Sequence, residues 1–210
     1  MPFELTEEEG SYLVKLARKA IENYLRTGKT ISTPKDVPTR LAEKCGVFVT
    51  LNSVSSGKKE LRGCIGFPAP VMPLVKAAID SAISAAVSDP RFPQVKPNEL
   101  GSIVVEISVL TPPELIKAKA PDDYPKLIRI GKDGLIVERG LSSGLLLPQV
   151  PVEWDWNEEE FLSHCCLKAG LPPDSWLVSG TKIYRFQAII FEEESPNGKV
   201  KRVQLSESGR

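Results

Sequence analysis

The chain has 210 residues, of which 41% are hydrophobic and 26% are charged. This composition is typical of a folded globular domain with a buried core. Lysine and arginine (27) balance aspartate and glutamate (27), so the formal net charge is zero, which argues against a nucleic acid as the partner. The single histidine, His164, excludes any mechanism or metal site that needs two imidazoles from one chain.

The cysteine pattern and the N-terminal sequence indicate the compartment. The four cysteines show no CxxC pair and no disulfide or cluster-binding spacing, so we expect free thiols in a reducing cytosol, with no metal or cofactor. The start, MPFELTEEEG, lacks a secretion signal, and no apolar run approaches the roughly 18 residues of a membrane span. We therefore expect a cytoplasmic protein, and its 18 prolines lean toward a thermophilic source. The cysteines are Cys45, Cys64, Cys165 and Cys166.

The first half of the chain predicts two helices and three strands. Thr6 and Glu9 form a capping-box pattern before a helical apolar period that Gly28 ends. A β-branched run and the motif LRGCIG predict two strands joined by a polar hairpin loop. The proline-stiffened loop DPRFP then separates an alanine-rich helix from an alternating strand. The predicted bounds are 6–27 and 71–87 for the helices, 46–51, 61–66 and 103–110 for the strands, and 52–59 for the hairpin loop.

The second half predicts another round of strands and a helix. After a proline-rich connection, the Asp-Gly pair within 131–134 predicts a hairpin turn between strands at 127–130 and 135–137. Asn157 and Glu160 form a second capping box before a helix that ends at about residue 169, and 182–191 predicts a last strand. Two comparable rounds with short connections predict an α+β fold, with a mainly antiparallel sheet and a structural duplication.

The most distinctive motif is LRGCIG at 61–66, because two glycines inside a strand need a reason such as a bulge or a close backbone approach. In an extended strand Arg62 and Cys64 point the same way, roughly 7 Å apart, and a guanidinium at that distance would favour the thiolate. One interpretation is a reactive thiol on a glycine-lined surface. The other is a small buried cysteine with glycines that accommodate the helix at 71–87.

Further candidates lie in the strand at 103–110 and in the DPRFP loop. Glu106 interrupts an apolar run and needs a cation or a donor if its face is covered, with Arg62 or Arg91 as candidate partners. It is either an acid–base group or half of a structural ion pair. Asp89 and Arg91 are placed to present polar groups to a ligand, although Asp89 could equally cap a turn.

The segment 140–156 and the helix after it carry the remaining candidates. The segment 140–156 contains glycines, a run of three leucines and two tryptophans, one of which is Trp154. Such a segment is typical of a pocket or partner surface if it is exposed, and of core packing if it is buried. His164 flanks the apolar stripe of its helix and is predicted to be a partly buried helix residue. Adjacent helical residues point about 100° apart, so His164 and the two cysteines after it do not converge on one metal ion.

Six ordered motifs resemble the AMMECR-one family, named for the Alport syndrome, midface hypoplasia and elliptocytosis chromosomal region, and the archaeal single-domain members are most similar. The resemblance covers about residues 5–195. It implies an α+β fold in which two strand–helix repeats form one curved, barrel-like sheet. The composition of the chain itself predicts a division into two lobes near 111–126 and a polar tail at 196–210, which we expect to fray after Leu205. The motifs are LRGCIG at 61–66, DPRFP at 89–93, EISVLTPPE at 106–114, IGKDGLIVERG at 130–140, GLLLPQVPVEW at 144–154 and EEFLSHCCLKAGL at 159–171.

The resemblance implies partners rather than an established activity. Prokaryotic members of the family are associated with Memo-type and radical SAM proteins in a three-part set, of which this chain would be the first component. Many members carry His where this chain has Asp133, so a role that relies on that imidazole does not transfer here. The chain also lacks the cluster cysteines of the radical SAM component.

Two functional hypotheses follow. The first, which we prefer because no recognised catalytic constellation is complete, is a regulatory or binding component that holds a partner protein or a small molecule. The second is an enzyme in which Cys64 is a nucleophile or thiol ligand to a small-molecule substrate, with Arg62 and Glu106 beside it. The predicted ligand- or partner-binding residues are Gly63, Gly66, Asp89, Arg91, Phe92 and Trp154.

Overall fold

The computed structural model describes residues 3–203, and these form four α-helices and eight strands joined by loops and short 3-10 turns. The helices are α1 (Glu7–Thr27), α2 (Leu74–Val87), α3 (Gln149–Glu153) and α4 (Glu158–Lys168). The strands are β1 (Gly46–Ser55), β2 (Lys58–Phe67), β3 (Ile103–Leu110), β4 (Glu114–Leu115), β5 (Asp133–Arg139), β6 (Ser142–Leu146), β7 (Lys182–Glu193) and β8 (Val200–Val203).

The strands form a sheet in the order β2-β1-β3-β7-β5-β6, and β4 and β8 both pair with β7. β1 pairs antiparallel with β2 and β3. β5 pairs antiparallel with β6, and β7 pairs antiparallel with β4, β5 and β8. The structure therefore confirms the predicted α+β fold with a mainly antiparallel sheet and flanking helices.

Both predicted capping boxes are present. The Thr6 hydroxyl accepts the N–H of Glu9 at 3.1 Å, and the Glu9 carboxylate accepts the N–H of Thr6 at 2.9 Å. Asn157 and Glu160 exchange the same two bonds at the start of α4, at 2.9 and 2.8 Å. Local side-chain chemistry therefore determines where both helices begin.

The β1–β2 hairpin is tighter than predicted. The expected loop over 52–59 is wrong, because β1 runs to Ser55 and β2 starts at Lys58, which leaves Ser56 and Gly57 as the turn. Both turn residues have left-handed φ angles, 51° and 78°, as in two-residue hairpins whose twist matches that of the paired strands. The polar end of this hairpin is largely exposed, which explains why its sequence resembles a loop.

The predicted hairpin turn at 131–134 and strand at 127–130 are also wrong. Residues 125–127 form a 3-10 turn, and Asp133 is the first residue of β5. The buried Asp133 carboxylate accepts the N–H of Arg129 at 3.0 Å and the Nε2–H of Gln187 at 3.2 Å. Asp133 therefore closes a turn before the strand through its side chain, which an Asp-Gly pair does not reveal.

The polar segment 196–210 contributes a strand that the sequence did not predict. Residues 200–203 form β8, which pairs with residues 190–193 of β7. Short, charged strands carry a weak sequence signal because they gain their stability from the strand beside them. The fraying expected after Leu205 falls on residues that lie outside the described part of the chain, 3–203.

The described residues divide into two compact units, each with its own core. The first unit comprises 3–110 and 189–203, where α1 packs on β3 and α2 packs on β1 and β2. The second unit comprises 111–188, where α4 packs on β5 and β6. Among residues 3–203, no helix has the length and apolar character needed to cross a membrane.

A buried ion pair joins α1 to the sheet in the first unit. Arg18 Nε and Nη2 donate to the two carboxylate oxygens of Glu193, each at 2.5 Å, and the side chains are 5% and 2% exposed. Arg18 Nη2 also donates to the carbonyl of Ile103 at 2.6 Å, and Glu193 accepts the N–H of Val105 at 3.0 Å. These added bonds offset the cost of removing two charges from water, so the pair fixes where α1 lies on the sheet.

Helix α2 approaches β2 closely at Gly63. A Cβ atom at this position would lie 2.2 Å from the carbonyl oxygen of Ala85 in α2. No real side chain tolerates that distance to a backbone atom, so the helix and the strand require glycine here. This is the close backbone approach that a glycine inside a strand predicts.

We expect Gly63→Ala to lower the free energy of unfolding by about 1–3 kcal/mol, because the added methyl group must push α2 away from β2. Gly101→Ala is the matched control, since no atom lies within 4 Å of a Cβ there, and its effect should stay within about 0.5 kcal/mol. Denaturant unfolding followed by circular dichroism measures both changes. Equal stability of the two variants would contradict the tight contact.

Candidate functional site

Three side chains form a row across β2, β1 and β3. Cys64 lies opposite Thr50 in the β1–β2 register, and Thr50 lies opposite Glu106 in the β1–β3 register. Cross-strand partners share one face of a sheet, and this face is the one opposite Gly63 and α2 because neighbouring residues of a strand alternate. All three side chains are partly buried. The sequence predicted Cys64 and Glu106 but missed Thr50, whose place depends on the register.

The Cys64 thiol lies in an environment that keeps it neutral. Its Sγ accepts the hydroxyl proton of Thr50 at 3.3 Å. Burial raises the pKa of Cys64 above its ordinary value of 9.0. The Thr50 hydrogen bond and the positive charge of Arg91 oppose this shift, whereas the carboxylates of Glu106 and Asp89 reinforce it. The thiol rather than the thiolate is therefore the main form at neutral pH.

The other three cysteines are buried. Burial raises the pKa of Cys45 to about 11 and that of Cys165 to about 12, and it shifts the pKa of Cys166 in the same direction. All four cysteines are free thiols. Within residues 3–203, no three His, Cys, Asp or Glu side chains are grouped as ligands for a metal ion. Cys64 is therefore the most accessible of the four thiols.

Asp89 covers the outer edge of β2 beside Cys64. β2 is the end strand in the sheet order, so the N–H groups on its outer side have no neighbouring strand to pair with. Asp89 Oδ2 accepts the N–H of Cys64 at 2.8 Å, and Oδ1 accepts the N–H of Arg91 at 3.1 Å. The carboxylate reaches this edge because α2 ends just before it, at Val87. Asp89 thus caps a turn, as one interpretation of the sequence held. It also holds the DPRFP loop against β2 through its hydrogen bond with Cys64.

The same carboxylate orients Arg91. Arg91 Nε donates to Oδ1 of Asp89 at 3.0 Å and Nη2 donates to Oδ2 at 2.8 Å. Nη2 also lies 3.4 Å from the carbonyl oxygen of Cys64, and Cζ lies 5.5 Å from the ring centroid of Phe92. The Asp89 side chain is 2% exposed, whereas that of Arg91 is 54% exposed. The hydrogen bonds from Arg91 hold the pKa of Asp89 well below its usual range.

Arg62 does not act on Cys64 as the reactive-thiol interpretation of the motif required. Its Nε and Nη2 donate to the two carboxylate oxygens of Glu99 at 2.9 and 3.2 Å, and its Nη1 donates to the carbonyl of Pro93 at 2.8 Å. The two hydrogen bonds from Arg62 to Glu99 lower the pKa of Glu99. The expected stabilisation of a Cys64 thiolate by Arg62 is therefore wrong, because the guanidinium is bound to Glu99 and to the end of the DPRFP loop. Glu99 was missed because it lies 37 residues from Arg62 in the chain.

The two glycines of the motif have packing roles. Gly63 makes room for α2, as one interpretation of the motif held, but Cys64 itself is only partly buried. A Cβ on Gly66 would lie 2.2 Å from the carbonyl oxygen of Val47, so this glycine makes room within the sheet. A ligand contact at either glycine stays a prediction.

Trp154 and His164 belong to the second unit. Trp154 follows α3 and is 68% exposed, and His164 is partly buried in α4 as predicted. Trp156 stacks on both, with ring centroids 6.2 Å from Trp154 and 3.7 Å from His164. The segment that carries the tryptophans is therefore exposed at Trp154 and packed against the second core at Trp156.

Asp89→Asn tests how strongly this carboxylate holds the edge of β2. We expect the free energy of unfolding at pH 7 to fall by about 2 kcal/mol, as for hydrogen bonds to charged groups. The folded-state pKa of Asp89 lies below its ordinary value of 3.8, so the contribution is present above about pH 4 and is lost as the pH falls further. The gap in the free energy of unfolding between wild type and Asp89→Asn should therefore narrow from pH 5 to pH 2.

Urea unfolding at several pH values measures this gap. Asp36→Asn is the matched control because Asp36 is exposed, and its effect should stay within about 0.5 kcal/mol at every pH. A gap for Asp89→Asn that is constant from pH 5 to pH 2 would show that the charge of Asp89 does not stabilise the fold.

Comparisons with known proteins identify the family. The AMMECR1 family model matches residues 14–191. Protein PH0010 of Pyrococcus horikoshii is 60% identical over 206 residues, which cover 98% of this chain and 100% of that protein. Protein PF1979 of Pyrococcus furiosus is 61% identical over 204 residues (97% of each), and protein MJ0810 of Methanocaldococcus jannaschii is 58% identical over 196 residues (93% and 96%). The crystal structure of PH0010 matches with a TM-score of 0.88 over 97% of this chain and 100% of that one. The chain therefore belongs to the AMMECR1 family.

Proposed function

We propose that this chain is a binding protein that holds an acidic group of its ligand or partner at Arg91. The observation that carries the proposal is the Asp89–Arg91 pair, in which an aspartate whose side chain is 2% exposed orients an arginine whose side chain is 54% exposed. A guanidinium has five N–H donors, and Asp89 accepts from two of its nitrogens. A charged side chain that is already held in one orientation loses little conformational entropy on binding.

The neighbours of Arg91 suit recognition better than covalent chemistry. Phe92 provides an aromatic contact, and Cys64 and Thr50 provide a neutral thiol and a hydroxyl group close by. Arginine binds carboxylate and phosphate groups through paired hydrogen bonds. An acidic group is therefore the feature of a ligand that this site would select.

We propose Memo-type and radical SAM proteins of the same cytosol as the partners. The support is the family association that the sequence motifs imply, together with four free thiols, which fit a reducing compartment. A small acidic molecule is the alternative occupant of the same site, and direct binding measurements separate the two.

Calorimetric titration of the chain with the purified Memo-type and radical SAM proteins of the same source organism tests the proposal. We expect at least one of them to bind, and Arg91→Gln to weaken that binding about tenfold or more, since a hydrogen bond to a charged group contributes about 1.5–3 kcal/mol. Arg91→Lys should give an intermediate loss, because it keeps the charge without the planar fork.

Arg26→Gln is the matched control, because Arg26 is an exposed arginine on α1 of the same unit. It should leave the affinity unchanged. Thermal melts of each variant separate a loss of affinity from a loss of fold. Failure of both proteins and of small carboxylates and phosphates to bind would refute the proposal, and so would equal affinities of the Arg91 and Arg26 variants.

The alternative function is an enzyme that uses Cys64 as a nucleophile. Two interactions favour this enzyme function, because the Thr50 hydrogen bond and the positive charge of Arg91 both lower the pKa of Cys64. Burial has the larger, opposite effect, so about 1% or less of the thiol is ionised at pH 7. We therefore place this function second.

Alkylation with iodoacetamide, followed by peptide mass spectrometry, distinguishes the two functions. Cys64 should react before the other three cysteines because they are buried. Its rate should rise roughly tenfold from pH 7 to pH 8 and keep rising to pH 9 without levelling, since only the thiolate reacts. Thr50→Val should slow the reaction further by removing a hydrogen bond that lowers the pKa. A rate that levels below pH 8 would favour the enzyme.

A further inference from the structure

The second unit carries an exposed tryptophan that is held in a fixed orientation. Trp154 is 68% exposed, although tryptophan has a large apolar surface that is usually buried. Its ring stacks on Trp156 with an interplanar angle of 20°, and Trp156 stacks on His164 with an angle of 2°. The three rings form what we term the aromatic stack, with Trp154 at its outer end.

The anchoring of the aromatic stack is at its inner end. His164 belongs to α4, whose neighbouring residues Phe161, Leu162 and Cys165 are fully buried. Trp156 is partly buried and packs against the same core. Asp155, between the two tryptophans, has a left-handed φ of 51°, a conformation that is uncommon for a residue other than glycine. The fold therefore supports an exposed aromatic ring rather than leaving it on a loose loop.

The chain segment that contains the aromatic stack is acidic. The segment 152–164 has five acidic residues and no lysine or arginine, in a chain whose total charge is zero. The acids at 158–160 occupy the first turn of α4, where they stabilise the helix dipole. That explanation does not cover Glu153, which lies at the C-terminal end of α3, where a negative charge is unfavourable.

We propose that the aromatic stack is a docking surface for an arginine-bearing segment of a partner protein. A guanidinium packs on the face of a tryptophan through its positive charge and its planar shape. The carboxylate of Glu153, which is exposed next to Trp154, provides the complementary charge. Aromatic anchors of this kind are typical centres of protein interfaces. This surface is independent of the proposed site at Arg91, so either proposal can fail alone.

The test is a titration of the full chain with an end-blocked peptide of alternating arginine and glycine, followed by tryptophan fluorescence. We expect saturable binding that Trp154→Ala weakens about fivefold or more and that Trp154→Phe weakens less. Glu153→Gln should weaken the binding about threefold. An equivalent lysine peptide should bind several-fold more weakly, and an equivalent glutamate peptide should not bind.

The matched controls are Leu141→Ala, which shortens a fully exposed apolar side chain of the same unit, and Glu60→Gln, which removes an exposed carboxylate of the first unit. Both should leave the affinity unchanged. Trp154→Ala should melt like wild type, because an exposed side chain adds little to the core.

Three results would overturn the proposal. The first is no binding of the arginine peptide, or binding that Trp154→Ala does not weaken. The second is equal affinity for the lysine peptide, which would leave no role for stacking. The third is a concentration-dependent dimer in sedimentation experiments that Trp154→Ala abolishes, because the occupant of the aromatic stack would then be a second copy of this chain.

Discussion

The candidate site depends on one steric constraint, the contact between α2 and β2 at Gly63. The Ala85 carbonyl occupies the space that any side chain at Gly63 would need. Because α2 lies this close to β2 and ends at Val87, the next residues of the chain reach the outer edge of that strand. Asp89 can then accept the N–H of Cys64, which gives this N–H group of the open sheet edge a partner. A longer side chain at Gly63 would displace the loop and, with it, Arg91.

Arg62 and Arg91 both bind a carboxylate, but the two arginine side chains differ in exposure. Arg62 is 13% exposed and binds Glu99 through two nitrogens, so its charge is used inside the protein. Arg91 also has a carboxylate partner, but the Arg91 side chain remains about half exposed beside a buried Asp89. Buried carboxylates that orient exposed cations are suited to recognition, since the orientation exists before the ligand arrives. Beside this pair, burial of Cys64 raises the pKa of its thiol.

The sequence predicted what depends on local chemistry and missed what depends on register. Capping boxes at Thr6 and Asn157 and the alternation in 103–110 gave helix starts and a strand that the structure confirms. The interpretation in which Arg62 stabilises a Cys64 thiolate was wrong, because strand spacing gives the direction of a side chain but not its partner. The actual partner of Arg62, Glu99, lies far along the chain. Thr50 was invisible for the same reason, since only the pairing of β1 with β2 and β3 places it between Cys64 and Glu106.

The zero net charge of the chain does not describe the charged groups at the two proposed binding surfaces. In the first unit an oriented guanidinium lies beside the end strand of the sheet, and in the second unit an exposed tryptophan lies within the acidic segment 152–164. The total charge governs only long-range attraction, in which the positive and negative charges of the chain cancel. It says nothing about short-range recognition, which depends on single oriented groups. Neutrality therefore fits a protein that recognises other molecules at local contacts, without the general attraction to polyanions that a basic chain would show.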